Sequence, residues 1–144
     1  MFRSMVRMSM LLTASFLFLN FARAQETKIK KVPIKPTAAD SGEEMYKEYC
    51  GACHGKAGKG DGPAVAALKA PPPDLTLLAK NNGGKFPAEH VSAVLQMGVV
   101  EAAHGSKDMP VWGPLFGSVS HQDPAITHLR ISNLTDFIKS IQTN

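Results

Sequence analysis

The chain has 144 residues, 44% of them hydrophobic and 19% charged, with 16 Lys and Arg against 12 Asp and Glu and a formal charge of +4. That length suits one compact folded unit with flanking segments and excludes a large multidomain enzyme. A basic balance points to nucleic acid or an anionic surface only when the charge lies in the folded part, and here much of it lies at the N-terminus.

Residues Met1 to Ala24 read as a secretory signal: Arg3 and Arg7 form a positive start, Met8 to Phe21 an apolar run, and Ala22-Arg23-Ala24 a small-residue cleavage site. A helical run of about 14 residues spans about 21 Å, short of the roughly 30 Å hydrocarbon core, so cleavage is expected rather than a stable membrane span. Arg3, Arg7 and Arg23 leave with it, so the 16 basic residues fall to 13 against 12 acidic ones and the nucleic-acid reading loses its support. Residues 25–39 are rich in Lys and punctuated by Pro33 and Pro36, which predicts a flexible tether, with the folded domain spanning 40–144.

Four helices are predicted in that domain. Asp40 or Ser41 caps the first, which carries Glu43 and Glu44 at the positive end of its dipole and runs through Tyr46 and Tyr49 towards Cys53. Asp74, after the stiff Pro71-Pro72-Pro73, caps a short one reaching Lys80. Pro87 opens the third, where Val91, Val94 and Leu95 share a face before Gly98 ends it. Asp123-Pro124 opens the last, with Ile126, Leu129, Leu134, Phe137, Ile138 and Ile141 as its apolar stripe. The stretches from Gly55 to Pro73 and from Gly98 to Gln122 read as long loops, which in a small domain are usually functional. Six aromatics remain after the signal, few enough that something besides side chains is expected to fill the centre.

Both cysteines of the chain fall in Cys50-Gly51-Ala52-Cys53-His54, the C-x-x-C-H attachment signature of c-type haem. Two thiols at this spacing meet the two vinyl groups of one haem, and the adjacent imidazole falls at the iron. A redox dithiol would need a sheet-based setting that this helical chain lacks, and a zinc site would need about four ligands. No paired carboxylates accompany a nucleophile, so hydrolysis has no candidate machinery. For a sixth ligand the methionines after the signal are Met45, Met97 and Met109. Met45 shares the attachment helix, Met97 ends an apolar face where packing explains it, and Met109 sits in a Gly- and Pro-framed loop able to present a thioether. His104 is the leading nitrogen rival, with His90, His121 and His128 behind it.

With these residues the chain resembles the class I c-type cytochromes over most of 40–144. Gly42, Tyr46 and Cys50 match that family's first-helix pattern, Gly55 to Pro63 its Gly-rich loop ending in Gly-Pro, and Asp108-Met109-Pro110-Val111-Trp112-Gly113 its Met-Pro segment. The resemblance implies an all-α cytochrome c fold of about four short helices around one covalent haem c, with His54 and Met109 on iron. It also implies a carbonyl of Gly62-Pro63 accepting from His54, and a contact between Gly42 and Phe137 where the last helix crosses the first. Trp112 and Tyr49 are candidates to pack on the macrocycle or to hydrogen-bond a propionate. Two filled axial positions imply a one-electron carrier, not an enzyme, in an exported, periplasmic electron-transport chain. Its partners would be redox proteins, with a haem subunit docked on a dehydrogenase or oxidase, or a haem enzyme or sensor with a labile sixth ligand, as alternatives.

Overall fold

The computed structural model describes residues 33–98 and 108–143. The expected signal, residues 25–32 of the expected tether and His104 lie outside the described residues.

Among the described residues there are five α-helices and no strand. Helix α1 is continuous through Gly42–Met45, a π-helical stretch Tyr46–Cys50, and Gly51–His54. Ser41 Oγ accepts from the Glu44 amide at 3.2 Å, satisfying one of the donors a helix start leaves open, and Glu43 and Glu44 sit where the dipole favours an anion. Asp74 Oδ1 accepts from the Thr76 amide at 2.8 Å and starts the 3₁₀ turn Leu75–Leu77, which runs into α2, Leu78–Asn81. Helix α3, Ala88–Met97, begins just after Pro87 and ends at Gly98. Helix α5, Pro124–Ser140, starts on Asp123, whose Oδ1 accepts from the Ala125 and Ile126 amides.

The stretch 98–122, expected as loop, contains α4, Trp112–Val119. Gly113 and Pro114 read as loop punctuation, yet both fall in the first turn, where a missing N–H costs no intrahelical bond. The stripe expected on α5 is also shorter than its apolar residues suggest. Ile131, Leu134 and Ile138 are buried, whereas Ile126 and Leu129 are exposed.

Helix α5 is the centre of the packing: it lies against α1, α3 and α4, and α3 also packs on α4. The approach to α1 is close because Gly42 has no side chain. A Cβ there would run into the Asn133 carbonyl and meet Phe137 Cβ at 2.9 Å. One turn on, the Tyr46 and Phe137 rings pack with centroids 5.0 Å apart. This is the contact implied by the resemblance. Tyr46, Trp112 and Phe116 are buried in the core, and Tyr49, Phe86 and Phe137 pack against it, so all six aromatics are used.

Residues 33–39, expected as the end of the tether, instead lie against the helices. Thr37 is buried, Tyr49 Oη donates to the Lys35 carbonyl at 2.7 Å, Arg130 Nη2 to the Thr37 carbonyl at 2.9 Å, and Asn133 Nδ2 to the Ala39 carbonyl at 3.0 Å. Composition alone reads Lys and Pro as solvated linker. Backbone carbonyls satisfied by distant side chains turn this part of it into a strap.

Candidate haem site

The site begins where α1 widens into its π-helical turn, immediately before Gly51–His54. Such turns are rare and recur at functional sites. The Gly-rich loop then folds back over the end of the helix: the Gly60 amide donates to the His54 carbonyl at 2.9 Å, Gly62 to Cys53 at 3.1 Å and Ala64 to Ala52 at 2.9 Å. Gly62 is required for this, since a Cβ would strike the Ala52 carbonyl. Tyr46 Oη donates to the Gly55 carbonyl at 2.8 Å and ties the loop's first residue to α1. Burial, then the nearby Cys50 and Asp61, push the Tyr46 phenol up to about 12.

Cys50 and His54 are buried and Cys53 is half-buried. Burial, reinforced by Cys53, pushes the Cys50 thiol up to about 12. A redox-active dithiol depends on a depressed thiol pKa, so this environment is the opposite of the one a thioredoxin-like centre needs. Burial lowers the His54 pKa below its ordinary value, with the Pro73 carbonyl opposing, and so favours the neutral imidazole that binds metals. His54 Nδ1 is buried without a hydrogen-bond partner.

These groups open onto a cavity of about 470 Å³, within the size range of cofactor sites. Its walls come from separate parts of the chain: Cys50, Cys53 and His54 from α1, the Pro71-Pro72-Pro73 run, Val91 and Leu95 from α3, and Met109 and Trp112 from the segment leading into α4. Asp108, the residue before Met109, accepts from the Lys69 amide at 3.1 Å, which ties the Met109 segment to the chain between the lining residues Leu68 and Ala70. The structure thus gathers five of the six expected site residues: Cys50, Cys53, His54, Met109 and Trp112.

Pro63 is the exception, exposed and not part of the cavity lining. His54 Nδ1 has no hydrogen-bond partner, so the expected bond to a Gly62-Pro63 carbonyl is not made, and the carbonyl that opposes the lowering of the His54 pKa is that of Pro73, ten residues later. The Gly62-Pro63 pair instead serves the fold-back of the loop. Tyr49 lines the cavity, but its hydroxyl is committed to Lys35 and Thr37 and not left for a propionate. Its ring and that of Phe116 flank Trp112, with centroids 5.4 and 5.5 Å away.

Among the alternative ligands, Met45 is fully buried with Sδ 3.8 Å from Arg130 Nη1, and Met97 is 63% exposed instead of packed, because it extends past the face that α3 buries. Neither lines the cavity, and nor do His121 or His128. His90 does, a placement its position on α3 did not signal. The proline wall was also missed as a site element. Three consecutive prolines read as a spacer, and only the folded chain shows that they line the same cavity as His54.

A helical fold whose C-x-x-C-H turn and Met-Pro loop border one cavity defines a class I c-type cytochrome domain, a haem-binding electron-transfer module. The family model described as cytochrome c oxidase, cbb3-type, subunit III matches residues 37–123, and the chain belongs to that family. No curated protein and no solved structure matches the chain.

Proposed function

We propose that the cavity holds one haem c, attached through Cys50 and Cys53, and that the protein is a one-electron carrier working outside the cytoplasm. The observation that supports this best is the convergence of both thiols, a neutral buried imidazole and a thioether on one largely apolar cavity. Each thiol adds across a vinyl double bond: sulfur bonds one carbon, the thiol hydrogen goes to the other, and nothing leaves. When bound, haem supplies reversible exchange of one electron at iron.

The chain's residues set the terms of that exchange. His54 would hold the iron through a ring nitrogen: its Nδ1 is buried with no hydrogen-bond partner, and the Pro73 carbonyl lies close enough to the imidazole to act on it. Met109 is the sixth ligand. Sulfur favours the ferrous state relative to a second imidazole and so raises the potential. The Pro71-Pro72-Pro73 wall, Val91, Leu95 and Trp112 keep water away, which acts in the same direction. With His54 and Met109 both holding the iron, the bound haem would exchange an electron and offer no open site at which a small molecule could be activated.

Exposing the reduced protein to carbon monoxide tests the carrier reading. A filled, stable sixth position leaves the spectrum unchanged, whereas rapid binding would mark an enzyme or sensor with an open site. A second reading draws on the family's description as an oxidase subunit: the module delivers its electron while docked on a terminal oxidase. Co-purification with an oxidase supports docking, and recovery of the holoprotein alone supports the free carrier. The N-terminal signal, with cleavage near Ala24, accounts for export to the periplasm, where thiols and haem are joined.

A further inference from the structure

Arg130 is 5% exposed, in the middle of α5. Its Nε donates to Ser120 Oγ at 3.1 Å, its Nη1 to Thr37 Oγ1 at 3.1 Å and its Nη2 to the Thr37 carbonyl at 2.9 Å, while Met45 Sδ lies 3.8 Å from Nη1. Every one of these acceptors is neutral, and the ion pairs among the described residues, Lys35 with Glu48 and Lys47 with Glu43, are elsewhere. Burying a cation without a counter-ion is costly, and neutral hydrogen bonds offset only part of that cost. A strap could be held as well by an uncharged donor, so the strap alone does not account for the charge.

The position of the guanidinium does. Tyr49 Oη gives its proton to the Lys35 carbonyl, so the Thr37 hydroxyl, 3.0 Å away, donates to Tyr49 and accepts from Arg130. Arg130 is therefore separated by a single hydroxyl from Tyr49, a residue that lines the cavity. The same Nη1 also lies against the sulfur of Met45, five residues before Cys50 on α1. Arginine keeps its charge throughout the accessible pH range, and a charge in a poorly screened interior acts over longer distances than one at the surface.

We propose that Arg130 is a fixed internal cation that raises the reduction potential of the haem by disfavouring the additional positive charge of the ferric state. It is a positioning residue for charge, not a ligand, and the inference rests on haem occupying the cavity. Because guanidinium does not titrate, its contribution is the same at every working pH.

The test is potentiometric titration of the full-chain holoprotein beside Arg130→Lys, Arg130→Met, Ser120→Asp and Thr37→Val, at pH 6 and pH 8. Arg130→Lys and Thr37→Val are expected to keep the parent midpoint, the first by retaining the charge and the second by removing only a hydroxyl. Arg130→Met and Ser120→Asp, which delete the cation or place a carboxylate beside it, are expected to shift the midpoint down by an amount that does not change with pH, with the visible spectrum of the parent. A parent midpoint in Arg130→Met or Ser120→Asp overturns the proposal, as does an equal downward shift in Thr37→Val, which would assign the effect to the strap. If Arg130→Met yields no holoprotein, Ser120→Asp decides, since it leaves Arg130 in place. Absence of haem from the parent itself would instead refute the haem reading.

Discussion

Tyr46 links the helix that carries the thiols to the loop that follows them. Its phenol is fully buried, donates to the Gly55 carbonyl and has its pKa raised from 10.0 to about 12. A raised pKa means the folded state prefers the protonated phenol, so its stabilisation is complete below pH 10 and is lost as pH rises from 10 to 12. Tyr46→Phe should lose about 1 kcal/mol at neutral pH, and denaturant titrations should show a smaller loss than the parent between pH 10 and 12. Met109→Ala should lower the midpoint potential and open the ferrous protein to carbon monoxide, read by titration and by difference spectra. At this scale the sequence was most legible where chemistry demands fixed spacing. Cys50, Cys53 and His54 are adjacent along the chain, whereas the Pro73 carbonyl and the proline wall reach His54 only through the folded loop.

Helix crossings and caps decide whether these residues meet. Gly42→Ala forces a methyl into the Asn133 carbonyl at the crossing of α1 and α5. A loss of about 2 kcal/mol or more is expected in equilibrium unfolding, because neither backbone can yield without shifting its helix. Asp123→Ala removes the cap that accepts two amides at the start of α5 and should cost about 1 kcal/mol, with Asp123→Asn largely retaining it. Caps and apolar periods made four helices visible in the sequence. Helix α4 was hidden because Gly113 and Pro114 carry the same loop signal whether they end a helix or sit in its first turn. The strap at 33–39 was hidden for a different reason. Its partners, Tyr49, Arg130 and Asn133, are 14 or more residues away for the bonds to the Lys35, Thr37 and Ala39 carbonyls, and no local pattern encodes them.

At the scale of the whole molecule, the described helices pack one apolar core and border a cavity beside it, and the residues able to hold haem converge on that cavity from α1, the proline run and the segment before α4. The family match over residues 37–123 makes the module a c-type cytochrome domain, and Arg130 sits inside it among neutral hydrogen-bond partners. All of this turns on a covalent cofactor at two thiols. The most direct measurement is the mass and absorption spectrum of the denatured mature protein, taken beside a Cys50→Ala, Cys53→Ala double variant. The account predicts one haem retained under denaturing conditions, a mass equal to the polypeptide plus that haem with nothing lost, and no retained haem in the double variant. A parent protein with the bare polypeptide mass and no haem absorption would contradict it.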